Sequence, residues 1–196
     1  MRIKYNAPVV LTFTLFCALV MLLSNTIVPN LNINWFAVPG RGSFHAGKLI
    51  TVLTHVIGHA DWSHLISNFT LILVVGPMLE ENYGSYQLLI MMIITALVTG
   101  VLNMLFFRSY LMGASGVVFM MILLSSFTNF SRGEIPLTFI LVLILYMGVQ
   151  FLDSLSYDNI SQFAHIVGGL CGSFFGFFRM GKKKLEAGTP AQRRYK

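Results

Sequence analysis

Charge is what this chain has least of: 10% of its 196 residues are charged, while 56% are hydrophobic. A soluble domain carries about 25% charged residues. So little polar surface cannot wrap a water-soluble core, and the bilayer becomes the main solvent. Acidic residues number seven. None lies deep within an apolar run, and no internal repeat is visible, so the two marks of a proton-relay transporter are missing. Cysteine is scarce as well. Cys17 and Cys171 both sit in apolar runs, where they read as small packing residues rather than a disulfide or a metal site. No aromatic-interleaved basic motif is present, which argues against a nucleic-acid partner despite the formal net charge of +6. Heptads and low-complexity tracts are absent too.

What is there is a series of apolar runs, and the fold class expected is an all-α membrane protein of six transmembrane helices. The spans fall at roughly 7–28, 62–79, 86–106, 113–130, 135–152 and 160–178, separated by polar, Gly and Pro residues. They form one domain over 1–178, followed by a basic tail over 179–196. Arg2 and Lys4 precede the first run, as in a cleaved signal peptide, but the run is long and lacks a small-x-small cleavage site. A retained span is expected. The long connection from Pro29 to about Asp61 carries Trp35, Phe36, Pro39, Gly40, Arg41 and Phe44, and reads as a segment lying in the membrane interface.

Basic residues set the orientation. Arg2, Lys4, Arg132 and the seven of the tail (Arg179, Lys182, Lys183, Lys184, Arg193, Arg194 and Lys196) fall on one side, against Arg41, Lys48 and Arg108 on the other. Both termini are therefore expected in the cytoplasm, with the tail near anionic lipid.

Four polar features inside or beside the spans are candidates for chemistry. Gly113-Ala114-Ser115-Gly116 places a hydroxyl at the first turn of a helix, beside unpaired backbone N–H groups that suit an oxyanion. Alone it reads first as helix packing, and it is not the Gly-x-Ser-x-Gly elbow of soluble hydrolases. His165 lies in an apolar run with Gly168, Gly172 and Gly176 at intervals of four. Such a glycine ridge lets span six press against a partner helix, and a histidine there can accept and return a serine proton. His64 and Asn68 share a helical face and offer two N–H donors; a polar pair at a helix entry would look the same. His55 and His59 have helical spacing, but no His-Glu-x-x-His pattern is present and no further ligand cluster accompanies them. A metal is not expected.

Together these features resemble the rhomboid family of intramembrane serine proteases, over roughly 48–178. The matching stretches are Leu49-Ile50-Thr51 through His55, and His59-Ala60-Asp61-Trp62-Ser63-His64 with Asn68. Leu79-Glu80 with Tyr83-Gly84-Ser85 follows, then Gly113-Ala114-Ser115-Gly116, then Ala164-His165 with Gly168 and Gly172. The resemblance implies that Ser115 is the nucleophile and His165 its general base. It implies an oxyanion hole of His64, Asn68 and the Ser115 N–H, and a structural Glu80. Gly113, Gly116, Phe119 and Gly168 would support the site. It further implies a six-helix core with an outward cavity, transmembrane protein substrates, no cofactor, a chain active as a monomer, and a bacterial inner membrane.

Three positions depart from the family's usual pattern. Gly47-Lys48 stands where many bacterial members carry Trp-Arg, Phe119 where a tyrosine commonly stacks on the histidine, and Gln162 where an asparagine is common. The expected function is cleavage of transmembrane helices near the outer interface through an acyl-enzyme, with the fifth loop, from Asp153 to Asn159, and span five as cap and gate. The competing expectation is a proteolytically inactive rhomboid-like protein that binds membrane clients. Such relatives lack the serine or the histidine, and both are present here.

Overall fold

The computed structural model describes residues 3–43, 45–128, 137–142, 144–145 and 159–187. Most of the fifth expected span, the fifth loop before Asn159, Arg132, Phe44 and the last residues of the tail lie outside them.

The described residues are helical, with α1 Pro8–Thr26, α2 Leu31–Phe36, α3 Thr51–Thr54, α4 Trp62–Tyr83, α5 Ser85–Phe106, α6 Ser115–Ser125, α7 Leu137–Val142 and α8 Asn159–Ala187. Three of these, α1, α4 and α5, are long and apolar enough to cross a membrane. The α6 helix and Gln162–Phe178 of α8 are shorter apolar helices. The molecule is an integral membrane helical bundle.

Local chemistry explains where the long helices begin. Pro8 opens α1, where its missing N–H costs nothing. The next two N–H groups, of Val9 and Val10, donate to the Glu80 carboxylate at 3.0 Å each. Ser85 Oγ, at the start of α5, donates to the same carboxylate at 2.7 Å. One buried acid thus caps α1 and ties it to the α4–α5 junction. Asp61 caps α4 by accepting the His64 N–H at 2.8 Å.

The α6 helix is the centre of the bundle. Every residue from Gly116 to Leu124 is buried, as expected of a helix that is apolar on all sides. Its neighbours α4, α5 and α8 instead turn rows of leucine, isoleucine and phenylalanine outward, among them Ile66, Val74, Ile93, Leu97, Leu170 and Phe174. Exposed apolar surface of this extent fits lipid contact.

The first loop packs on the C-terminal half of α5, where the Val52 backbone lies against Gly100. Ile33, Trp35, Leu49 and Ile50 are exposed along it, the pattern of a segment lying in an interface. The Lys48 ammonium donates to the Asn34 carbonyl and so joins two parts of the loop. One isolated antiparallel bridge, Val38 to Leu111 with both bonds at 3.0 Å, fastens the loop to the segment leading into α6.

Candidate active site

Ser115 is the first residue of α6, and Ala114 is its N-cap. The first intrahelical bond runs from the Val118 N–H to the Ala114 carbonyl at 2.9 Å. The N–H groups of Ser115, Gly116 and Val117 precede it and have no acceptor within the helix. They form a cluster of donors around the serine hydroxyl.

The turn into this helix depends on Gly113, whose φ of +130° disfavours any side chain. The place a β-carbon would take is filled by the His64 ring, with Cε1 at 2.5 Å and Nε2 at 2.8 Å. The imidazole of α4 therefore lies directly against the turn that precedes Ser115. One helical turn further along α4, Asn68 is buried at 5% exposure. Its Nδ2 finds no hydrogen-bond partner among the described residues. A buried donor without an acceptor costs roughly 1–3 kcal/mol, so it takes a water, a ligand or a reacting atom as its partner.

From the other side, α8 meets α6 backbone to backbone. A methyl group on Gly168 would stand 2.7 Å from the Gly116 carbonyl carbon and 2.9 Å from its Cα. On Gly172 it would stand 2.9 Å from the Met120 carbonyl carbon. Only glycine permits this approach. It brings the His165 ring face to face with Phe119, centroids 4.3 Å apart and planes within 13°. Phe119 follows Ser115 by one helical turn, so the imidazole lies over the side of α6 on which the serine stands.

A family model for the rhomboid domain matches residues 46–182. The chain belongs to the rhomboid family. It is similar to rhomboid protease GlpG of Haemophilus influenzae, 24% identical over 139 residues that cover 68% of this chain and 72% of that one. It is also similar to rhomboid protease GluP of Bacillus subtilis, 29% identical over 147 residues. That match covers 72% of this chain but only 28% of the longer GluP.

Within this rhomboid domain, His55 and His59 of the first loop bond to the loop's own backbone and to α5. His55 is 1% exposed, with Nδ1 3.0 Å from the Val52 carbonyl and Nε2 3.2 Å from Thr99 Oγ1. Burial pulls its pKa down to about 4. His59 Nδ1 lies 3.1 Å from the Ile57 carbonyl, and its ring stands edge-on to His64 with centroids 5.2 Å apart. Burial first, and the charge of His64 second, bring its pKa to about 4. Both rings are therefore neutral at physiological pH. Glu80 lies sixteen residues beyond His64 on the same helix, about 24 Å away; its contacts are those of a cap.

Gln162, one turn before His165 on α8, keeps a buried Oε1 without a partner among the described residues. Sequence reasoning passed over a polar stripe on α5. Thr95, Thr99 and Asn103 recur every four residues and are all buried. That spacing in an apolar helix was the available signal, since buried polar groups on one face need partners on the helix they meet.

Proposed function

We propose that this rhomboid domain is an intramembrane serine protease in which Ser115 and His165 form the catalytic dyad. The observation that carries the reading is the glycine contact of α8 on α6, which stacks the His165 ring on Phe119 one turn from Ser115. In the reaction, Ser115 Oγ attacks the scissile carbonyl carbon as His165 takes the hydroxyl proton. The tetrahedral oxyanion is held by the Ser115 N–H, the Asn68 Nδ2 and the His64 ring. His165 then gives the proton to the leaving amine, and water resolves the acyl-enzyme.

The depth of the site follows from helix length. The eleven residues of α6 rise about 16 Å, roughly half of a 30 Å hydrocarbon core. In this reading the far end of α6 faces the opposite interface, and Ser115, at its start, lies below the outer surface. Substrates in this reading are single transmembrane helices with small or helix-weakening residues near the outer interface, which unwind at least cost. The six-span arrangement, with both termini in the cytoplasm of a bacterial inner membrane, belongs to the same proposal.

The test is reconstitution of the full chain in liposomes with a generic transmembrane substrate, beside Ser115→Ala and His165→Ala. Cleavage and serine-directed phosphonate labelling by the native chain alone are expected. A native chain that binds the substrate, cuts nothing and takes no phosphonate would instead be a client-binding protein.

A further inference from the structure

Gly113 and Gly116 stand on either side of Ser115, and one buried histidine of the first loop bonds the first directly and reaches the second through Thr99. The His55 carbonyl accepts the Gly113 N–H at 2.9 Å. Its ring stands between the Val52 carbonyl and the Thr99 hydroxyl. A carbonyl can only accept, so the proton of the neutral imidazole sits on Nδ1, and Nε2 receives the Thr99 hydroxyl. Thr99 in turn meets the second glycine: its Cγ2 is 3.2 Å from the place a methyl on Gly116 would take. Without His55 the Thr99 hydroxyl would turn wholly to its own helix, where the Thr95 and Ala96 carbonyls lie at 2.8 and 3.1 Å.

We propose that His55 and Thr99 are positioning residues for the nucleophile, linking the first loop and α5 to the backbone on both sides of Ser115. This rests on the serine-protease reading and deepens it. Neither residue touches the reacting atoms. The bond to Gly113 pins the Met112–Gly113 peptide, two residues before Ser115, to the first loop and so restricts the path by which the chain enters α6. The Thr99 wall holds the peptide that leaves it. Between these two restraints the oxyanion donors keep one orientation, so no reorganisation is needed as charge develops. Gly116 is also held from the α8 side, by the Ala164 carbonyl and by Gly168. The ring bond to Thr99 is therefore the part of the device that a single atom change can isolate.

Thr99→Val keeps the side-chain shape and the Gly116 contact but removes the hydroxyl; Thr99→Ser keeps the hydroxyl. Both are compared with the native full chain in liposomes, by kcat and KM on a transmembrane peptide and by the rate of Ser115 labelling with a fluorophosphonate. Loss of one such bond is expected to lower kcat and the labelling rate about tenfold in Thr99→Val, with KM unchanged. Thr99→Ser is expected to restore most of both rates. A Thr99→Val protein that labels at the native rate, even with a lowered Tm, overturns the positioning role and leaves the protease reading standing. A Thr99→Ser protein as slow as Thr99→Val overturns it equally. A native chain that takes no label overturns both.

Discussion

The tightest contact in the site is made by an atom that glycine lacks. In Gly168→Ala the new methyl would meet the carbonyl carbon of Gly116 at 2.7 Å and its Cα at 2.9 Å. Ordinary carbon contacts lie near 3.5–4.0 Å. Both opposing atoms are backbone in the middle of a buried helix, so neither can rotate aside, and α8 must retreat by about 1 Å. His165 is one turn from Gly168 and moves with it, away from the Phe119 ring and the Ser115 hydroxyl. A misplacement of about 1 Å costs on the order of 100-fold in rate, and overpacking of this kind costs about 1–3 kcal/mol of stability. The assay is initial-rate cleavage of a transmembrane substrate in proteoliposomes, with kcat and KM separated and thermal unfolding measured beside them. Gly176→Ala is the control. There a methyl would meet the buried Phe127 ring, its Cγ included, so the helices must also adjust, but at a point about three turns from His165. Its loss of kcat should be at least tenfold smaller than that of Gly168→Ala. If Gly168→Ala cleaves at the native rate while remaining folded, the helix contact does not set the imidazole, and the reasoning fails.

Asn68→Ala is expected to lower kcat by about 10²–10³ with little effect on KM. Its melting temperature should fall little, because the lost Nδ2 donor has no partner among the described residues; a large fall in Tm with kcat preserved would mark Asn68 as structural. Glu80→Gln should behave in the opposite way. It leaves one amide oxygen where two carboxylate oxygens now accept three donors, costing about 1–3 kcal/mol per unsatisfied group. Thermal unfolding should detect this, with the kcat of the folded fraction near native. Acid should also destabilise the fold through His55. Its pKa is about 4 when folded against about 6.5 unfolded, so above pH 6.5 both states are neutral and nothing is lost. As pH falls from about 6.5 to about 4, the unfolded chain takes up the proton first. The loss is complete below about 4, at on the order of 3 kcal/mol. Tm measured against pH should fall across that window, and a flat profile would contradict the neutral buried ring.

By itself the sequence determined the solvent and the family. With 10% charged residues there was no alternative to the bilayer, and the glycines at 168, 172 and 176 marked a helix face able to press on a partner. The order of motifs from His55 to Gly172 was enough to place the chain in the rhomboid family, which the domain match over 46–182 supports. Such features are local, because composition and spacing along one helix are set by the chain alone.

The tertiary structure decided which faces meet. That Gly168 would rest on Gly116, that the His64 ring would fill the space beside Gly113, and that His55 would bond both Gly113 and Thr99 are contacts between segments 44 to 58 positions apart. No periodicity encodes them. They arise because buried polar groups must find partners and because backbones close only where side chains are absent, and both conditions are met only once the helices have packed.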